Sequence, residues 1–89
     1  MADKKEIRLS ELAVEKKGEV MRLECDGALR RRLLDMGFIA GTWVEKVGES
    51  PSSDPSAYLV KGAVIALRKK DSARIYLRVP EERGKEIWG

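Results

Sequence analysis

The run D-G-A-L-R-R-R-L-L-D-M-G-F-I-A-G-T, residues 26–42, carries a start, a body and a stop for one short helix. Asp26 can accept hydrogen bonds from the first free amides, nothing from Ala28 to Met36 breaks a helix, and Gly37 can supply the left-handed residue that ends it. With about 100° between successive residues, Leu29, Leu33 and Met36 form one stripe, while Arg31 and Asp35 sit together on the opposite side. One face packs and the other is solvated. Leu34 falls off the packing stripe, beside Arg30 and Arg31.

Working outward, residues 19–25 alternate as a half-buried strand, with Met21, Leu23 and Cys25 inward and Arg22 and Glu24 outward. Beyond the helix, residues 41–49 open on Gly41 and read as a strand with Val44 and Lys46 on one face and Trp43, Glu45 and Val47 on the other. The stretches 57–60 and 63–67 flank Lys61-Gly62, the spacing of a tight hairpin, and Ile65 and Leu67 should share its buried face. Residues 75–79 alternate again before Pro80, and 69–74 can hold one short turn. Residues 9–13 form a brief helical turn with Ser10 as its cap, and residues 1–6 read as a flexible terminus. A small, bent, mostly β barrel of about five antiparallel strands follows, with the helix inserted after the first.

Composition bounds the function. Eighty-nine residues suit one small domain, with little room for a catalytic cleft. At 43% hydrophobic and 37% charged, the chain has enough apolar material to fold, and its mixed charge argues against a disordered tail-like chain. The balance of +3 permits a basic patch without requiring one. There is no histidine and Cys25 is the single cysteine, so no intrachain disulfide and none of the usual thiolate or imidazole metal clusters can be assembled. Cys25 reads as a small core hydrophobe. No stretch approaches the roughly 18 apolar residues of a membrane span, and the expectation is a cytoplasmic protein.

The phrase R-R-R-L-L-D-M-G-F-I-A-G-T, followed in order by the P-x-x-D-P loop at 51–55, the Lys61-Gly62 turn and A-V-I-A-L-R-K-K-D-S-A-R-I-Y-L, resembles the FeoA family over residues 7–79. The resemblance implies an SH3-like barrel over residues 7–80; a charged tail at 81–89, ending in Trp88-Gly89, extends beyond it and departs from the family pattern. It also implies a cytosolic accessory protein of ferrous iron uptake whose partner is FeoB, the membrane transporter with a GTP-binding domain. Three departures stand out. Ser53 replaces a glycine common in the family, Ala63 stands where a larger residue is frequent, and Trp43 and Lys46 invert a polar/apolar pair, so that either a bulge shifts the strand or Trp43 is exposed.

No catalytic residue, cofactor or metal ligand set emerges, since there is no phosphate loop and no Cys/His or Ser/His pair. The three arginines at 30–32 splay around the helix axis and stacking aromatics are few, which disfavours nucleic acid. An SH3-like regulatory or nucleic-acid-binding barrel in iron-responsive control is the alternative, without a DNA-binding helix pair to support it. Arg30, Arg31, Leu34 and Trp43 are the candidate partner contacts. Asp26, Leu29, Leu33, Met36, Gly37, Gly41 and Gly62 are structural. Homo-oligomerisation is left open.

Overall fold

The computed structural model describes residues 4–80. In chain order it contains β1 (Lys4–Arg8), a 3-10 turn (Leu9–Glu11), β2 (Lys17–Leu23), α1 (Gly27–Met36), β3 (Trp43–Glu49), β4 (Ser56–Val60), β5 (Ala63–Leu67), α2 (Lys69–Ser72) and β6 (Ile75–Pro80). All six strands join one sheet in the order β1-β6-β2-β3-β4-β5, every neighbouring pair antiparallel.

There are thus six strands where about five were expected, and α1 follows the second of them. The additional strand is β1. Four of the five residues in K-K-E-I-R are charged and only Ile7 leans on the core, so no alternation announces a strand. Pairing with β6, from Lys4↔Pro80 to Arg8↔Tyr76, is what makes it one. Lys4, Lys5 and Glu6, expected in a flexible terminus, therefore lie in an edge strand. The 81–89 tail and Trp88 lie outside the described residues.

The 3-10 turn covers the core with Leu9, and the following Leu12 is buried beside it. Its cap is not Ser10: the Glu11 carboxylate accepts the Arg8 backbone N–H at 2.7 Å. β2 differs from simple alternation, because a bulge interrupts its pairing with β6 between Val20 and Arg22. The extra residue, Met21, is half-buried, and the bulge lets Val20 face the core on one side of it while Leu23 leans inward on the other. Cys25 packs half-buried against the same core.

In β3, Val44 and Lys46 share one face as read, that face turns inward, and the bulge falls between Lys46 and Gly48. Burying a lysine requires a partner. Lys46 Nζ lies 2.8 Å from a Glu49 carboxylate oxygen, and this ammonium holds the Glu49 carboxyl below its ordinary titration range. Ser53, where the resembled family favours glycine, adopts φ 71°, and its amide donates to the Ser50 carbonyl at 2.8 Å. The loop keeps a glycine-like turn with a serine in it.

α1 ends as a complete Schellman motif. Gly37 sits at φ 109°, its amide donates to Leu34 O at 3.0 Å, and the Phe38 amide donates to Leu33 O at 3.1 Å. Phe38 and Leu33 are both fully buried, supplying the apolar contact that accompanies this motif. The helix start is looser. Asp26 holds the N-cap position, but its carboxylate makes no hydrogen bond to the first turn, which begins with Gly27 at φ 65°. Asp26 therefore does not cap the helix through its side chain. Asp26→Ala should cost only a few tenths of a kcal/mol, the residual dipole contribution, whereas Gly37→Ala should cost about 1–2 kcal/mol through left-handed strain. Urea melts of the two variants check this ranking.

Candidate interaction surface

The helix divides its residues cleanly. Leu33 is fully buried and Leu29 and Met36 pack half-buried against the core. Arg30, Arg31, Arg32 and Asp35 are exposed, and Leu34 between them is half-buried. Arg32 is engaged within the domain, its guanidinium 3.4 Å from the Asp71 carboxylate of α2. Arg30 and Arg31 form no ion pair among the described residues. They project two uncommitted cations beside a partly accessible leucine.

Trp43 begins β3 opposite Glu19 of β2 and is 49% exposed, so exposure rather than a bulge resolves its position. Among the described residues no hydrogen bond or ring contact links it to Arg30, Arg31 or Leu34. The structure joins the helical trio and leaves Trp43 as a separate exposed group. Gly41 lies just ahead of β3, its amide bonded to Val20 O at 2.8 Å, and Gly62 sits at φ 81° in the β4–β5 turn.

The outer face of β1, β6 and β2 is a different surface. Tyr76 lies between Arg8 and Arg22 in register. The Arg22 guanidinium is 4.5 Å from the Tyr76 ring centroid, and Arg8 Nε donates to the phenol oxygen at 2.9 Å. Arg22 also reaches Glu6 and Glu24, each at 2.6 Å, and hydrogen bonds to Glu6 and then Glu24 raise its pKa. These arginines are saturated by their own sheet. The Tyr76 ring is correspondingly unavailable as a platform for stacked bases.

An open groove of about 530 Å³ runs between β1, the 3-10 turn and the ends of β2 and β6, lined in part by Ile7, Leu12, Lys17, Val79 and Pro80. A smaller recess of about 120 Å³ holds the Lys46–Glu49 pair with Ser56, Tyr58 and Ser72. In the smaller recess Ser53 Oγ donates to the Glu49 carboxylate at 3.4 Å, and that carboxylate is already held by the Lys46 ammonium. Among the described residues no three His, Cys, Asp or Glu side chains converge on a point that could hold a metal ion. With no histidine and a single cysteine in the sequence, titrating Fe(II) and Zn(II) into the full chain by calorimetry is expected to reveal no sub-micromolar site, and a stoichiometric one would reverse that expectation.

The sequence model of the FeoA domain matches residues 7–79, nearly the whole of the described fold. The chain belongs to the FeoA family. A curated relative, the Fe(2+) transport protein A/Fe(2+) transporter FeoB fusion protein of Porphyromonas gingivalis, is 36% identical over 69 residues, covering 78% of this chain and 8% of that protein. The chain thus spans only a small part of that relative's length. Among solved structures, the FeoA-like protein of Clostridium acetobutylicum superposes with a TM-score of 0.80 at 30% identity, covering 92% of this FeoA chain and 95% of its own. Stenotrophomonas maltophilia FeoA, described as an SH3-domain protein and determined in complex with zinc, gives a TM-score of 0.71 at 28% identity, with 84% and 89% covered. The SH3-like architecture of this FeoA-family chain agrees with both. Among its described residues, no helix is long and apolar enough to cross a membrane.

The packing and solvated faces of the helix were legible in the sequence, whereas Gly18, Val20, Phe38 and the Lys46–Glu49 pair were not. Val20 was hidden by the bulge, and Lys46 by its charge. Gly18 lies just ahead of the strand read over residues 19–25, whereas it is buried inside β2.

Proposed function

We propose that this FeoA-family chain is a non-enzymatic accessory module of ferrous iron uptake that works on the cytoplasmic side by docking onto a FeoB-type transporter. The observation that carries this reading is the fused relative, in which the two activities named in its description share one polypeptide. Covalent fusion raises the local concentration of one module at the other, which is useful only if the two meet.

On this reading the docking face is α1, with Leu34 as the apolar anchor, Arg30 and Arg31 as cations for acidic partner residues, and Trp43 as a further aromatic contact. Two arginines without an ion pair among the described residues are better suited to intermolecular pairing than Arg32, which already pairs with Asp71. Leu34→Ser should cost about 1 kcal/mol of stability, roughly half the value for a fully buried leucine. Combined with Arg31→Glu, it should weaken binding to the transporter by more than about tenfold.

Co-purification of the full chain with the FeoB-type transporter of the same genome, with and without guanine nucleotide and Fe(II), tests the reading. Retention of wild type and loss of the double variant are expected. Failure of wild type to associate under every condition would overturn it.

A further inference from the structure

The sheet has two edges, and they are built oppositely. β1 carries Lys4, Lys5, Glu6 and Arg8 within five residues, a charge density that discourages pairing with another strand. β5, A-V-I-A-L, contains neither a charge nor a proline. Among the described residues it pairs only with β4, from Ser56↔Leu67 to Val60↔Ala63. Among the described residues, no backbone hydrogen bond outside the ladders involves residues 63–67.

The hairpin geometry says which groups are free. Lys61 at φ 50° and Gly62 at φ 81° form the mirror-image two-residue turn, which places Val60 and Ala63 in a hydrogen-bonded pair. Alternation then commits Ile65 and Leu67 to β4 as well and directs the amides and carbonyls of Val64 and Ala66 outward. Both side chains are exposed, Val64 to 64%.

Charge decides what fits there. Lys61 stands beyond one end of the edge and Arg68, Lys69 and Lys70 beyond the other, all four exposed and, among the described residues, without an ion pair. A second copy is a poor occupant. Antiparallel self-pairing sets Lys61 against the basic run of the other copy, and parallel pairing sets like against like. We propose that β5 receives an extended segment of a partner polypeptide, apolar at alternate positions and flanked on both sides by Asp or Glu, which bonds to Val64 and Ala66 as a seventh strand. A Cβ at Gly37 would lie 3.5 Å from Lys61 Cγ and Cδ, so the Lys61 end of this edge adjoins the end of α1. The inference rests on the reading that the chain acts by docking, and it adds a backbone-mediated contact to the helix face.

Val64→Pro removes one outward amide without disturbing the β4 ladder, a substitution that edge strands accept. Lys61→Glu with Lys70→Glu reverses the flanking charge and leaves the strand intact. Against the cytoplasmic portion of the FeoB-type transporter, both variants should bind at least about tenfold more weakly than wild type while keeping their denaturation midpoints. Val64 and Ala66 amides of wild type should exchange slowly only when the partner is added. Wild-type affinity in both variants, with wild type itself binding, would overturn the edge assignment and leave the docking reading standing.

If wild type does not bind the transporter, the docking reading falls, and a synthetic Glu-Glu-Val-Thr-Ile-Thr-Val-Glu-Glu peptide decides the edge alone. Protection of the two amides by it, and not by a Lys-flanked control, supports the proposal; no protection overturns it. Protection already present in the free chain at low concentration, or arising with a concentration-dependent dimer, would assign the edge to the chain itself or to a second copy and likewise overturn it.

Discussion

Gly18→Val is expected to leave the chain largely unfolded, and Gly18→Ala to lower its stability by about 1–3 kcal/mol, the cost of overpacking a filled core. A Cβ at this position would stand 2.6 Å from Val79 Cγ1, 3.1 Å from Leu77 Cδ1 and 3.2 Å from the Arg78 carbonyl oxygen. The first two atoms belong to core side chains, with Leu77 fully buried, and the third is backbone of the neighbouring strand. Relief therefore requires the packed Val79 side chain to move, and Leu77 and the Arg78 carbonyl of β6 to give by a few tenths of an ångström. Domains of this size hold only about 5 kcal/mol or somewhat more in total, so the larger side chain exhausts it. Urea denaturation of Gly18→Ala, Val79→Ala and the double variant checks the cause. The double variant should be more stable than the sum of the single losses predicts, because Val79→Ala vacates the space that the new methyl needs. A Gly18→Ala midpoint equal to wild type would mean that the two strands are not so closely apposed.

Phe38→Ala should cost about 3–5 kcal/mol, the usual range for emptying a phenylalanine site. This is the chain's single phenylalanine, fully buried in the same cluster as Leu33, Val44 and Val60. It also closes the helix, since its amide reaches back to Leu33 O. Truncation opens a cavity where helix and sheet meet while leaving the backbone hydrogen bond available. Phe38→Leu, which retains most of the volume, should lose about 1.5 kcal/mol or less. Melting both variants under one set of conditions separates a packing role from a backbone role. Equal losses would point to the backbone.

The helix was legible because its signals are local: Gly37 ends it, and the 3.6-residue period puts Leu33 inside and Arg31 outside. The β4–β5 hairpin was legible for a similar reason, since Lys61-Gly62 leaves little choice of turn. What could not be read was set by pairing across the sheet. β1 becomes a strand only through β6, and the inward turn of Val20 depends on a bulge that shifts one strand against its neighbour. Gly18 is required by Val79 and Leu77, some sixty residues further along the chain.

The candidate interface divides in the same way. Arg30, Arg31 and Leu34 follow from helical geometry, and Trp43 was singled out by its departure from the resembled family. Yet the commitment of Arg32 to Asp71 is visible only in three dimensions, and so is the burial of the Tyr76 face under its own arginines. Asp26 shows the limit of a local rule. It has the residue type and position of a cap, but the left-handed Gly27 beside it begins the helix without using the carboxylate.

The proposed role of this FeoA-family domain is to bind a FeoB-type transporter. Isothermal calorimetry between the full chain and the cytoplasmic portion of the transporter from the same genome tests it most directly. Saturable binding at one site per domain is expected, lost when Leu34→Ser and Arg31→Glu are combined in a chain that still melts cooperatively. No detectable heat or complex at about 100 μM of each partner, an affinity too weak for a stable contact, would contradict it.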